Sequence, residues 1–183
     1  LPTRDEGAGV ETEGPEFETV MAFGSNAGVD DLAAVMRANE RCDELGLDTI
    51  SCGDVVSAYL ASEGSFGDAE LLVDLVERIA HREGIGDTLA EGIHRIHDEL
   101  GVDDWTAKGM EFAAHDGRTL NGQALAFATS NRGADHLYGS MYVRECPLVD
   151  RERAIGRDGV AGKADLLVER ENRNAVLDSA IAC

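Results

Sequence analysis

The stretch RCDELGLDTISCG, Arg41 to Gly53, sets carboxylates at Asp43 and Asp48 around a Gly46–Leu47 step, with thiols close by at Cys42 and Cys52. An aspartate accepts hydrogen bonds from amino and ring N–H donors, and a glycine lets backbone come close to a flat ligand. The same residues have a structural reading, with Gly46 closing one helix and Asp48 capping the next. The two readings are compatible, since helix ends are where backbone groups lie free. The final segment, LDSAIAC, again sets an aspartate, Asp178, five residues ahead of a cysteine, Cys183.

Other groups could move protons or hold a metal. Glu16 and Glu18 sit in EGPEFET, where an acidic protein could equally use them as solvated surface. His136 follows a glycine-containing turn in RGADH, as a hydrogen-bond donor or as a helix-end residue bonded to backbone. Arg132 either stabilises that turn or orients a ligand. Glu91 and His94 stand one helical turn apart and His97 follows, a spacing that can ligate a metal. Thr88 to Glu91 also reads as a capping box, which would occupy the glutamate locally. His81 and His115 carry no further signal. The four cysteines lie far apart without a C-x-x-C, so a disulfide framework is not expected. For Cys42, Cys52 and Cys146, burial as small apolar side chains is the favoured reading.

The composition narrows the classes. Against 36 acidic residues stand 16 basic ones, giving a net charge of −20, and the lysines among them are Lys108 and Lys163 alone. A scattered acidic excess fits a surface adapted to high salt, where counterions screen self-repulsion. It argues against nucleic-acid binding, which needs a basic footprint. No stretch approaches the roughly 20 apolar residues that span a bilayer, and no signal-peptide pattern opens the chain, so a cytoplasmic location is expected. The lack of an initiator methionine and the helical pattern at the last residue read as cut ends.

These side chains need helices to position them. Residues 1–15 read as extended. A helix starts at Asp30 as N-cap, carries Leu32, Val35, Met36 and Cys42, and stops at Gly46. CGDVVSAYLASEG follows as a second helix. AELLVDLVERIAHREG puts Leu72, Leu75, Val76 and Ile79 on one face, and GDTLAEGIHRIHDELG repeats the pattern with Leu89, Ile93, Ile96 and Leu100. TAKGMEFAAHDGR reads as a short extended piece, NGQALAFATSNRGADH as a closely packed helix, and the chain ends in a long helix. The fold class is mainly α, multi-helical, with two subdomains, 1–104 and 105–183.

Seven stretches, EGPEFET with FGSNAGVDDL, ANERCDELGLDTISCG, REGIGDTLAEGI, KGMEF, ATSNRGADH and LDSAIAC, resemble in order the tungsten- or molybdenum-containing aldehyde:ferredoxin oxidoreductases. The resemblance covers essentially the whole chain and corresponds to the family's helical second and third domains. It implies a metal held between two pterin dithiolenes beside a [4Fe–4S] cluster. Two D-x-x-G-L-(C/D) motifs grip the pterins. On this chain the first is Asp43, Gly46, Leu47 and Asp48. The second keeps Asp178 and Cys183 but has Ile181 and Ala182 at Gly–Leu, which puts close backbone approach there in doubt. Cys183 matches the cluster's fourth ligand; the other three come in the family from a C-x-x-C-x-x-x-C group that this chain lacks.

By the same resemblance Glu18, or else Glu16, is the base and His136 the donor that polarises the carbonyl. Pressed against a cofactor in a dry pocket, such a glutamate would have a raised pKa. The family includes members with an iron site between subunits built from Glu and His. The implied reaction oxidises an aldehyde to a carboxylic acid and passes electrons to ferredoxin, and a homodimer is one assembly open to it. Ferredoxins are usually acidic, so docking would rely on short-range contacts or on screening. The alternatives are reduction of an activated aromatic acyl thioester, action on a sugar-phosphate aldehyde, and a non-catalytic helical scaffold.

Overall fold

The computed structural model describes residues 2–5, 10–146, 152 and 154–181. Helices dominate them, and the chain divides into two compact units, Leu1–Trp105 and Thr106–Cys183. No helix among the described residues is long and apolar enough to cross a membrane.

The first unit opens with antiparallel strands β1 (Pro2–Asp5) and β2 (Val10–Glu13), Pro2 opposite Glu13. A short helix, α1 (Phe17–Val20), runs into a π-helical turn at Met21–Ser25. Next comes α2 (Leu32–Leu45), capped by Asp31 rather than the expected Asp30: Asp31 Oδ1 accepts the Ala33 and Ala34 N–H groups at 2.9 and 3.2 Å. Gly46 ends it with φ 72° and ψ 36°, and α3 (Thr49–Ser62) follows at once. Close approach fixes α3, since a Cβ on Gly53 would lie 2.5 Å from the Ala22 Cβ of the π turn.

In α4 (Ala69–His81) the buried residues are Leu72, Leu75, Val76 and Ile79, the face that the periodicity gives. The pattern over 86–101 reads as one helix, but the chain forms two, α5 (Ile85–Leu89) and α6 (Ile93–Leu100). The break is Gly92, whose φ of 82° and ψ of 157° cannot continue a helix. Phe23, Leu60, Leu72, Leu75, Leu89 and Ile93 are fully buried in this unit's core. Each such side chain contributes about 1.5–3 kcal/mol.

The second unit begins with a hairpin, β3 (Thr106–Ala107) and β4 (Met110–Glu111), turned by Lys108 and Gly109 at φ 56° and 81°. Positive φ at both turn residues matches the twist that a two-residue hairpin needs. Among the described residues, α7 (Asn121–Thr129), α8 (His136–Gly139), α9 (Tyr142–Glu145) and α10 (Lys163–Ser179) follow. Thus the helix expected over NGQALAFATSNRGADH stops at Thr129. The apolar cluster of Ala126, Met141 and Leu167 is small. A buried polar knot reinforces it. Glu145 accepts the Gly122 and Gln123 N–H groups at 2.6 and 2.9 Å, and Lys163 Nζ donates to the same carboxylate at 2.6 Å.

Candidate functional site

In the first unit the Asp43–Asp48 turn is a helix-to-helix corner. Asp43 stands exposed in the last turn of α2 and accepts from Asn39 Nδ2 at 3.3 Å. Leu47 N–H donates back to Cys42 O at 2.9 Å, which closes the helix around a left-handed Gly46. Asp48, also exposed, caps α3 through Oδ2, which accepts Ser51 N–H at 2.7 Å. A Cβ on Gly46 would meet no atom within 4 Å, so the turn's outer face is open. The structural reading therefore holds, and it leaves room for a flat ligand.

Glu18 lies half-buried on α1, whereas Glu16 is exposed ahead of it. The neighbouring Thr19 is buried, and its Oγ1 lies 2.9 Å from Thr49 Oγ1. Thr49 directly follows Asp48, so this one hydrogen bond ties the Glu18 helix to the Asp43–Asp48 corner. Alongside α1 runs an open apolar groove of about 280 Å³, lined by Phe17, Val20, Leu32 and Val35 among others.

In the second unit His136 is the first residue of α8, half-buried, behind the N-cap Asp135. Asp135 Oδ1 accepts the Leu137 and Tyr138 N–H groups at 2.8 and 3.2 Å, and its carboxylate pairs with Arg132. Arg132 thus stabilises the turn. Asp178 is exposed in the last turn of α10. One helical turn earlier, Asn174 Nδ2 donates to Leu137 O at 3.1 Å and to Tyr138 O at 2.6 Å. This docks α8 on α10 and joins the His136 and Asp178 segments. Beyond Asp178, Ile181 adopts φ 54°, so the second motif keeps a left-handed residue where it has lost its glycine. Cys183 lies outside the described residues.

Cys42 and Cys52 are buried free thiols, as expected. Their hydrogen bond to each other, then burial, pushes the Cys52 thiol up, which opposes the deprotonation that metal ligation needs. Cys146, the C-cap of α9, is half-buried, short of the burial expected. The Glu91–His94–His97 spacing forms no metal cluster. Glu91 Oε1 accepts from Arg82 at 2.9 Å, His94 Nδ1 lies 2.8 Å from Asp104 Oδ2, and His97 faces Asp98. Nor is Thr88 to Glu91 a capping box, for α5 ends at Leu89. No group of three or more His, Cys, Asp or Glu among the described residues is arranged to hold a metal ion.

Residues 2–183 match the family model described as aldehyde ferredoxin oxidoreductase, domains 2 and 3. The chain belongs to the aldehyde ferredoxin oxidoreductase family. It is 38% identical to a tungsten-containing aldehyde ferredoxin oxidoreductase of Pyrococcus furiosus over 94% of this chain and 31% of that protein. A relative of the same name in Thermococcus kodakarensis is 35% identical over the same shares. An aliphatic sulfonate oxidoreductase, WOR-like subunit, of Pyrococcus furiosus is 28% identical over 68% of this chain and 24% of its own length. The chain thus spans about a third of the length of the first two relatives.

Sequence reasoning missed the residues that connect these groups. Thr19 with Thr49 offers no spacing signal. Asn174 could have been found, since it stands four residues before Asp178 on the same helix face. His115, passed over as uninformative, stacks on Tyr142 with ring centroids 3.6 Å apart and lies 5.8 Å from the His136 ring.

Proposed function

We propose that this chain supplies half of the pterin contacts, together with the acid–base groups, of an enzyme that oxidises an aldehyde to a carboxylic acid. The reaction would run at a tungsten, or molybdenum, bis-pterin centre, with electrons leaving singly through a [4Fe–4S] cluster to ferredoxin. One observation carries the reading. Inside a family match over residues 2–183, each unit joins one acid–base group to one motif aspartate. Thr19 and Thr49 link Glu18 to Asp48, and Asn174 links the segment of His136 to that of Asp178.

The donor set fits the group. Asp43, Asp48 and Asp178 are exposed acceptors at helix ends, and Gly46 leaves open space where a flat ring system could lie. When bound, the metal centre supplies the two-electron chemistry that no side chain can. Cys183 would be one of four cluster ligands, the other three coming from outside this chain.

The chain's own residues handle positioning and protons. The motif aspartates accept hydrogen bonds from pterin amino and ring N–H groups. Glu18 takes a proton from the water that adds to the carbonyl carbon. His136 donates an N–H to the carbonyl oxygen, where negative charge develops. Overall, aldehyde plus water yields carboxylate, three protons and two electrons.

The sulfonate-named relative is more distant than those named for aldehydes, which favours an aldehyde. Viologen reduction by the full-length enzyme, offered aldehydes and an alkanesulfonate in parallel, tests this. Aldehyde-dependent reduction that falls at least about 10²-fold in Glu18→Gln and in His136→Phe supports the proposal. Metal-loaded enzyme that reduces dye with the sulfonate alone overturns it.

A further inference from the structure

We infer that His115 is a positioning residue for His136, holding its imidazole through a stacked platform shared with Tyr142; the inference rests on the proposed role of His136. The His115 and Tyr142 rings lie parallel within 4°, centroids 3.6 Å apart. The His136 ring leans on both, 5.8 Å from His115 at a tilt of 42° and 6.3 Å from Tyr142 at 45°. Three separate segments therefore meet ring to ring at the residue proposed to polarise the carbonyl.

The platform is fixed from below. Tyr142 N–H donates to Gln123 Oε1 at 3.0 Å, and Gln123 is fully buried. Three residues on, Glu145 ties α9 to the start of α7 and to Lys163. On the other side Asp116, next to His115, is gripped by Arg118, whose Nε lies 2.8 Å from Oδ2. Thus Tyr142, the ring stacked on His115, is anchored to the buried part of the unit through Gln123.

Such a platform matters because the outer torsion of a histidine is soft. Its energy wells are broad, so capping of the helix start does not by itself set the orientation of the ring. Polarising a carbonyl requires an N–H aimed at one point, and a misplacement of about 1 Å can cost on the order of 10²-fold. Two aromatic faces in tilted contact restrict the ring to one orientation, the arrangement that aromatic pairs favour. What the platform needs from position 115 is a flat ring, not an imidazole.

That distinction sets the test, made on the full-length enzyme with His115→Ala and His115→Phe. The alanine variant should lose kcat by roughly 10–100-fold with KM nearly unchanged, and phenylalanine should restore most of it. Labelling with diethyl pyrocarbonate, read by mass spectrometry, supplies a measure independent of turnover. The His136 peptide should react several-fold faster in His115→Ala and at the wild-type rate in His115→Phe, with the His81 peptide unchanged in both. If the alanine variant does not fold, His115→Asn makes the same comparison. Unchanged His136 labelling without the ring overturns the inference. So does a kcat loss that phenylalanine fails to restore, which would mean that the imidazole itself is required. Should the wild-type enzyme oxidise no aldehyde, the proposed function fails, while the labelling still decides the positioning role.

Discussion

Gly46 and Ile181 hold the same place in two related turns, each three residues after a motif aspartate and each in the left-handed region, at φ 72° and 54°. Glycine adopts that region freely, whereas a β-branched side chain there costs roughly 1–2 kcal/mol. Replacing Ile181 by glycine should therefore stabilise the second unit by about 1 kcal/mol in urea unfolding, with Gly46→Val moving the first unit as far the other way. Since a side chain at 46 would meet open space in the protein itself, any further loss in Gly46→Val should appear in cofactor loading. Asp48 separates along the same lines. Alanine there removes the cap on α3, worth about 1 kcal/mol, and asparagine largely keeps it while losing the charge.

Between elements, two ion pairs behave differently because one is wet and one is dry. Arg41 on α2 grips Glu77 on α4 at the surface. The Arg41 hydrogen bond holds Glu77 below the usual carboxylate range, against an opposing push from burial. A depressed native value means that the stabilisation is present above the ordinary glutamate pKa and is lost as pH falls through the lowered one. Glu77→Gln should thus cost a few tenths of a kcal/mol at pH 7, and denaturation curves of variant and wild type should converge on acidification. Lys163 and Glu145 are 4% and 2% exposed. Lys163→Met would strand a buried carboxylate and should destabilise the second unit by about 3–5 kcal/mol. Local pattern reveals helix faces and hides contacts between distant segments, both ion pairs included. The α4 face was legible because Leu72, Leu75, Val76 and Ile79 repeat with the helix. The break at Gly92 was not, because Leu89, Ile93 and Ile96 stay apolar and in phase across it. The Glu145–Lys163 pair spans 18 residues, and the His115–His136 contact likewise joins separate segments, so neither leaves a periodic trace. Family resemblance named the candidate residues, and only coordinates supplied the contacts within each unit, Thr19 with Thr49 and Asn174 with Leu137 and Tyr138.

Across the whole molecule, charge and the two units set the behaviour. A net charge of −20 on 183 residues repels itself, and salt screens that repulsion over about 10 Å at 0.1 M and about 3 Å at 1 M. The melting temperature should therefore rise between 0.1 and 2 M KCl, and a flat or falling response would count against a salt-adapted surface. The proposed function draws an aspartate-bearing helix end and an acid–base side chain from each unit. The most direct measurement is the tungsten, molybdenum and pterin content of the purified full-length protein, beside Asp43→Ala and Asp178→Ala. The account predicts about one metal and two pterins per chain in the wild type, with occupancy reduced several-fold in each variant that stays folded. Wild-type protein without metal or pterin, or variants that load as fully as the wild type, would contradict it.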